Sequence, residues 1–395
     1  MKPTILVLTS TYPRWRRDTE PGFVHELCKR LTPDYQVHVV TSHYKGALPR
    51  EQLEGVNIHR FRYAFPNQER LVYPGGMLTN ARLQPWVLLL LPFFFLSQLA
   101  MIWRLARKHD IKLIHAHWVV PQGIAAMVLL PVLQKTALVV TSHGADVYGL
   151  KGRFFGFLKS KVWAAADAVT VVSHAMAEAV SACLDTGKLT VAPMGVDLEG
   201  TFVIKNSLKD RKNIIFVGRL VEKKGVGVLV EAFKRVLPKY PELRLTVVGE
   251  GPYRKSLLQL ADELSISHAI HFVGAVPNAE IPALLNQHAI AVVPSVIAAS
   301  GDQEGLGLVG IEAMGCGCAV VASDLPAIRD VVDGEKTGLL FESGNVSELA
   351  KSLGSLLEDD GLRLRLAENG RRNALERFDW SIAAENYRKI FARLV

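Results

Sequence analysis

Short runs of aliphatic and β-branched residues recur along the chain at 4–9, 37–41, 111–116, 137–142 and 168–172, and again at 213–217, 243–248, 290–293 and 319–322. Each is followed by a loop and then by a stretch whose apolar residues fall three and four apart. Runs of this length without polar alternation belong to strands buried on both faces, and their exchange with helical periods predicts parallel sheets covered by helices. The series starts twice. Between residues 192 and 212 it lapses into a proline, a glycine and a polar stretch that make a natural linker. The expectation is an α/β chain of two Rossmann-like domains, residues 1–198 and 199–377, whose sheets face each other across a cleft, with ligands at the carboxyl ends of the strands.

Residues 86–103 interrupt this rhythm with an apolar stretch that starts at Trp86, ends at Trp103 and is followed by Arg104, Arg107 and Lys108. Its length is close to the roughly 20 residues that span a bilayer. Against a span stand Pro92 inside it and the run at 111–116 after it, which belongs to the same series as the runs before it. Crossing a membrane here would separate two parts of one sheet. The other readings are a core helix, or a helix pair partly in the core and partly open to lipid, with its tryptophans and cations as a docking surface.

Length and composition narrow the picture. A chain of 395 residues, at about 150 per domain, exceeds a single core, and 49% hydrophobic with 21% charged residues excludes disorder for most of it. Residues 1–200 hold 22 Lys and Arg against 14 Asp and Glu, and residues 201–395 hold 24 against 24, so the net charge of +8 lies in the first half. An anionic partner is expected to meet that half: a membrane surface or a phosphorylated acceptor. A nucleic acid would also suit the charge, but no aromatic-interleaved basic stripe or known motif accompanies it, so none is expected as a partner. Cys28, Cys183, Cys316 and Cys318 lack zinc-type spacing. Free thiols and a first strand beginning near Thr4, with no secretory h-region, point to the cytoplasm.

The chemistry concentrates in two segments of the second half. The run Glu304-Gly-Leu306-Gly307-Leu308-Val309-Gly-Ile-Glu312 opens a helix. Its glycines allow close backbone approach, and the helix start presents unpaired amides and a positive dipole end, a seat for phosphate. Glu312, four residues after Leu308 among apolar neighbours, needs donors such as a ribose diol, and Glu304 in the preceding loop points at a sugar. The other segment, Val217-Gly-Arg219-Leu-Val-Glu-Lys-Lys224-Gly225, follows a strand. Its Arg219 and Lys224 can neutralise the charge on a departing nucleoside diphosphate, work often done by a metal. There is no Asp-x-Asp, and Asp-x-Glu triplets such as the one ending at Glu335 are too common to mark a metal site, so the expectation is no metal and no cofactor beyond the nucleotide sugar. In the first half, Thr-Ser-His143-Gly144-Ala-Asp146 ends a strand, with Asp146 placed to orient the turn. Gly22 follows a loop bearing Arg14, Arg16 and Arg17 and can offer an amide to phosphate at a helix start.

The set Gly22, His143-Gly144, Val217-Gly-Arg219, Lys224-Gly225, Glu304-x7-Glu312 and Phe378-Asp-Trp380 resembles the GT-B glycosyltransferases of family 4, the retaining class that includes many bacterial polysaccharide and lipid-glycan assembly enzymes. It covers nearly the whole chain with its motifs in the family's order. The resemblance implies two lobes closing over a nucleotide sugar. Arg219 and Lys224 would hold the diphosphate, Glu312 the ribose and Glu304 the sugar hydroxyls. The amides from Leu306 to Val309 would meet sugar and phosphate, His143 would lie over the sugar, and Gly22 near the phosphate. It also implies a front-face displacement in which the leaving phosphate helps remove the acceptor's proton, and a last segment, 378–395, that crosses back to the first domain. One position departs: Met194 stands in Pro-Met-Gly-Val-Asp where many members have asparagine.

The functional expectation is a retaining transfer of a hexose-type sugar from a UDP- or GDP-sugar to a hydroxyl of a lipid-linked or cell-surface glycan precursor, by a cytoplasmic enzyme peripheral on the inner membrane face. A nucleotide-sugar 2-epimerase or a glycan phosphorylase on a related fold is the alternative. Base contacts are expected from backbone near Gly249, Gly251 and Gly274, whose side-chain-free positions carry no information about the base.

Overall fold

A computed structural model describes residues 2–395 except 17, 19, 21, 74 and 134. It divides into two compact units, one of residues 1–172, 176–192 and 383–395, the other of 173–175 and 193–382.

Among its described residues the first unit is built on eight strands: β1 (Thr4–Leu8), β2 (Gln36–Ser42), β3 (Arg50–Leu53), β4 (Val56–Phe61), β5 (Ile111–His117), β6 (Ala137–Ser142), β7 (Ala168–Val171) and β8 (Leu189–Val191), in the order β3-β4-β2-β1-β5-β6-β7-β8. β1 lies centrally, Ile5 pairing with Val37 on one side and Leu113 on the other, and all five of its residues are buried. The sheet is not wholly parallel as the runs predict. β3 pairs antiparallel to β4 through a two-residue loop, Glu54 (φ 48°) and Gly55 (φ 85°), both left-handed as a tight hairpin of matching twist requires.

Helices that bear on function in this unit are α1 (Phe23–Leu31), α2 (Met77–Leu83), α3 (Leu91–Lys108), α4 (Ile124–Leu129) and α5 (Arg153–Ala165). α3 is the segment weighed above as a span. With the 3-10 turn Pro85–Leu90 before it, it is long and apolar enough to cross a membrane by length and composition, with a mean hydropathy of 2.0 over an 18-residue window. Pro92 sits in its first turn, where a missing amide costs nothing. Phe94, Gln98, Ile102 and Leu105, spaced three and four apart, face inward, with Phe94 edge-on to Phe61 at 4.9 Å. The opposite face stays open: Leu89 is 74% exposed, Phe93 60% and Leu96 63%. α4 packs against both α3 and α5, and Phe154 and Phe157 of α5 add to the exposed apolar side chains.

The second unit has six parallel strands, β9 (Ile214–Val217), β10 (Leu245–Val248), β11 (Ile270–Gly274), β12 (Ile290–Val293), β13 (Ala319–Ser323) and β14 (Leu339–Phe341), ordered β11-β10-β9-β12-β13-β14. The core is continuous from these strands to α6 (Val226–Val236), whose Leu229, Val230 and Phe233 are fully buried. α7 (Leu308–Gly315) joins β12 to β13. The order turns from descending to ascending number at β9 and β12, the switch point where open α/β sheets bind ligands. The last helix, α8 (Trp380–Ala392), begins in this unit, and its later turns belong to the first. There the Tyr387 ring lies 5.3 Å from His115, tilted to it by 39°, and its hydroxyl donates to the Ala192 carbonyl at 3.2 Å, and Arg388 pairs with Asp34 at 2.8 Å.

Candidate active site

In the second unit, β9 delivers the chain at Val217 to a turn that the glycines make possible. Leu220 donates to the Glu250 carbonyl at 2.9 Å, and residues Glu222–Lys224 form one 3-10 turn closed by the Gly225 amide on the Glu222 carbonyl at 3.0 Å. Gly225 is left-handed at φ 61° and starts α6; a Cβ there would lie 1.9 Å from the Pro294 carbonyl oxygen. Lys224 is thereby held with its Nζ 2.7 Å from Glu304 Oε1. Glu304 is 8% exposed, in the loop between β12 and α7. That loop is stitched to the same turn: Val296 donates to the Lys223 carbonyl at 2.9 Å, Ala299 to Glu222 Oε1 at 2.8 Å, and Lys223 Nζ reaches Asp302 at 3.2 Å. These contacts, which no local pattern signals, bring Lys224 and Glu304 together across 80 positions of sequence.

Burial works against the Glu304 charge, but Lys224, Lys223 and Arg219 outweigh it and hold the carboxyl below its ordinary range. Lys224 engages only Oε1, and the carboxylate, with lone pairs on both oxygens, keeps capacity to accept from a ligand hydroxyl. Leu306 and Gly307 are buried beyond it. Gly307 is left-handed at φ 87°, and no side chain caps the helix it starts, so the first amides of α7, those of Leu308 and Val309, keep the donor capacity of a helix start. Glu312 lies one turn on. Part of its side chain is open, yet burial of the carboxyl pushes it up to about 7, moderated by Lys224.

Glu312 therefore holds a proton in the folded chain up to about pH 7 against 4.5 when unfolded, so its contribution to stability is complete below 4.5 and is lost as pH rises through 7. Glu312→Gln is expected to flatten the fall in melting temperature between pH 5 and 8, recovering on the order of a few kcal/mol at the alkaline end. Parallel melting curves for wild type and variant would discard the shift.

In the first unit, His143 follows β6 and is fixed by Asp146. The His143 and Gly144 amides donate to Asp146 Oδ1 at 3.1 and 3.2 Å, and the Val119 amide donates to Oδ2 at 2.9 Å. Gly144 takes φ 111°, a conformation that favours glycine. Sequence reading missed three partners of this histidine. His117, at the end of β5, hydrogen-bonds it between Nδ1 and the His143 Nε2 at 2.9 Å, and Trp118 and Phe23 flank the ring at 5.0 and 5.1 Å. The available signal was the His115-Ala-His117-Trp118 run at a strand's carboxyl end, where residues two apart share a face. Burial pushes His143 down to about 3, so it is neutral at working pH and its bond to His117 joins two uncharged rings. Gly22 caps α1 beside Phe23 without a side-chain hydrogen bond. Of the loop arginines, Arg14 is tied to Asp18 at 2.6 Å and stacks on Tyr44 and Tyr73, and Arg17 lies outside the described residues.

Residues 197–373 match the family model for glycosyl transferases group 1, and residues 23–199 that for glycosyltransferase family 4. The GDP-mannose-dependent alpha-(1-6)-phosphatidylinositol monomannoside mannosyltransferase of Mycolicibacterium smegmatis is 30% identical over 296 residues, covering 70% of this chain and 75% of that protein. A D-inositol 3-phosphate glycosyltransferase of Corynebacterium jeikeium is 36% identical over 190 residues, 46% of this chain and 44% of that protein. Among solved structures, sucrose-phosphate synthase from Thermosynechococcus elongatus superposes with a TM-score of 0.80 at 21% identity, over 99% of this chain and 100% of that one. Anabaena HepE, in complex with UDP-glucose, superposes with a TM-score of 0.75 at 18% identity, over 99% and 100%. Both likenesses establish the GT-B architecture.

Proposed function

The chain belongs to glycosyltransferase family 4 and is a nucleotide-sugar-dependent glycosyltransferase of the retaining class, and from that premise we propose that it transfers a hexose-type sugar from a UDP- or GDP-sugar to a hydroxyl on a lipid-linked precursor of a cell-surface glycan. The observation that carries this reading is the Lys224–Glu304 pair beside the uncapped start of α7. Arg219 and Lys224 take up the charge that develops on the leaving diphosphate as its bond to the anomeric carbon breaks, and the α7 amides share it. Glu304, ionised by its cations, accepts from a sugar hydroxyl, and Glu312 from the ribose diol. The new bond forms between the acceptor oxygen and the anomeric carbon. The acceptor's proton passes to the leaving phosphate oxygen, so no strongly basic side chain is called for. His143, neutral and held by Asp146 and His117, offers a hydrogen bond to the sugar without a competing charge.

The lipid-linked acceptor is supported by the open face of α3 and the exposed Phe154 and Phe157, an apolar surface next to Arg104, Arg107 and Lys108. Trp86, 44% exposed, and Trp103, 40% exposed, stand at the ends of the apolar stretch, as interfacial anchors do. Such a surface suits reversible docking on the anionic inner face of the cytoplasmic membrane. The mannosyltransferase relative named above, a phosphatidylinositol monomannoside mannosyltransferase, supports a lipid acceptor by likeness.

Two measurements test the reading. Incubation with a panel of UDP- and GDP-sugars, with and without lipid extract, is expected to show slow donor hydrolysis that becomes transfer when acceptor is present. Turnover of a donor into its epimer, or dependence on inorganic phosphate, would replace the reading. In flotation, the protein is expected to rise with anionic vesicles at low salt, and Phe93→Ser/Leu96→Ser to stay behind. Absence of the wild type from the vesicle fraction would remove the membrane part alone.

A further inference from the structure

The first unit holds a second feature that the donor chemistry leaves unused. Just past the carboxyl end of β2 lies a cavity of about 430 Å³, within the range of small-molecule sites. Tyr44 and Tyr73 form one wall, their rings at 5.5 Å and steeply inclined to each other. Behind them the buried Arg14 guanidinium sits 4.8 Å from one ring and 5.3 Å from the other, fixed in turn by Asp18, so the wall is rigid. Asn80 of α2 and Gln84, the C-cap of α2, supply amides.

The charged groups are sorted by depth. Glu69 lines the cavity and is 2% exposed; its Oε2 is 2.6 Å from His43 Nδ1, and its Oε1 has no hydrogen-bond partner among the described residues. An ionised or polar oxygen that is buried and unpartnered is costly, and a ligand hydroxyl brought to it would lift that cost. Lys45 and Arg70 line the same cavity but are exposed, so they stand at its mouth. Aromatic walls, amides and a buried carboxylate suit a polyol or sugar, and two cations at the rim suit a phosphate. The chain continues from Gln84 directly into Pro85 and Trp86, the start of the exposed apolar stretch.

We propose that this cavity, resting on the acceptor reading above, binds the head of the acceptor as a phosphorylated polyol or sugar, its hydroxyls turned in toward Glu69 and its phosphate held at the mouth by Lys45 and Arg70. A phosphodiester in that position would leave its lipid tails at the surface where the apolar stretch begins. Recognition and docking are then two parts of one event.

The test uses calorimetry on the full chain with glycerol 3-phosphate, inositol 1-phosphate and hexose 1-phosphates, each beside its dephosphorylated parent. At least one phosphorylated compound is expected to bind ten times or more tightly than its parent. Lys45→Ala/Arg70→Ala, at two exposed positions, removes that preference while the donor Kd stays within twofold. Glu69→Gln weakens the phosphorylated compound and the parent alike. No phosphate preference in the wild type, or a preference retained by the double variant, overturns the proposal. The same head on a vesicle lipid binds more tightly than the soluble head if a bilayer supplies it; equal affinity assigns the pocket a free phosphorylated substrate. Transfer assays separate this from the reading it rests on. Transfer to a phosphorylated acceptor with an unchanged KM in the double variant sinks the pocket alone, and phosphate-dependent binding without transfer to any such compound sinks the acceptor reading alone.

Discussion

Lys224→Ala is expected to lower kcat by roughly two to three orders of magnitude, the loss that follows removal of one preorganised group from a developing negative charge. Geometry sets this loss. The 3-10 turn Glu222–Lys224 and the left-handed Gly225 hold the lysine at the carboxyl end of β9, and the loop contacts at Lys223, Glu222 and Val296 hold the partner glutamate against it. Neither charge has to reorganise as the diphosphate departs. Glu304→Ala is expected to cost a similar factor, because the sugar loses its acceptor and Lys224 is released from its fixed position. Each single variant also leaves one largely buried charge without its partner, so some stability is lost with the activity. Lys224→Met/Glu304→Gln separates the two effects. It removes both charges while keeping the volume, so its melting temperature should return toward wild type while kcat stays low. Wild-type turnover in either single variant, measured on protein that melts normally, would refute the assigned roles.

The elements that position this pair were the legible ones. β9, β10, β12 and β13 are interior strands, buried on both faces, and an interior strand has to be a continuous apolar run. The helix starts at Gly225 and Gly307 were legible because the backbone there needs left-handed conformations that leave glycine in the sequence. What the sequence hid has one physical cause, dependence on neighbours far along the chain. β14 is three residues long at a sheet edge, and β11, at the other edge, carries the exposed His271, so neither makes an uninterrupted apolar run. The β3–β4 hairpin at the other sheet's edge was missed for the same reason, since β3 has no buried residue and only the Glu54-Gly55 pair marks its turn. The split of 86–103 at Pro92 was readable from the proline, but which face of α3 goes inward was not. That depends on Phe61 and Tyr63, which meet Phe94.

Candidate residues follow the same division. Arg219, Lys224, Glu304 and Glu312 could be picked out because charge beside glycine at a strand end is unusual. Met194, standing where many members of the resembled family have asparagine, is 1% exposed and packs as an apolar side chain. His117 left only the trace of the His115-Ala-His117-Trp118 run, and the cavity around Glu69 left none, since a glutamate in a loop looks ordinary until its surroundings are known. His117 acquires meaning only through its 2.9 Å bond to His143, and Glu69 only through an oxygen that nothing in the described residues satisfies.

Gly225→Ala is the substitution expected to damage the protein most for the smallest chemical change. At φ 61° a Cβ costs about 1 kcal/mol or more in backbone energy. Steric overlap costs more, because the methyl group would fall 1.9 Å from the Pro294 carbonyl oxygen, far inside contact distance. Pro294 follows β12 directly, so neither it nor the start of α6 can yield without moving a strand or a buried helix; forced overpacking of this kind adds about 1 to 3 kcal/mol. The total is a large share of the roughly 5 to 15 kcal/mol that holds a domain together. Relief by moving the turn away from Pro294 would pull Lys224 from Glu304 and break the Val296 bond to the Lys223 carbonyl, so surviving folded protein should also turn over slowly. Gly227→Ala is the control, because a Cβ there meets only Leu260 Cδ2 at an ordinary 3.9 Å and sits on the same helix two residues on. Thermal melting and kcat for the pair are expected to show Gly225→Ala many degrees less stable and impaired, with Gly227→Ala at or above wild-type stability, as alanine loses less backbone entropy than glycine on entering a helix. Equal melting temperatures in the two variants would mean that the turn is not held against Pro294, and with it would go the fixed position of Lys224.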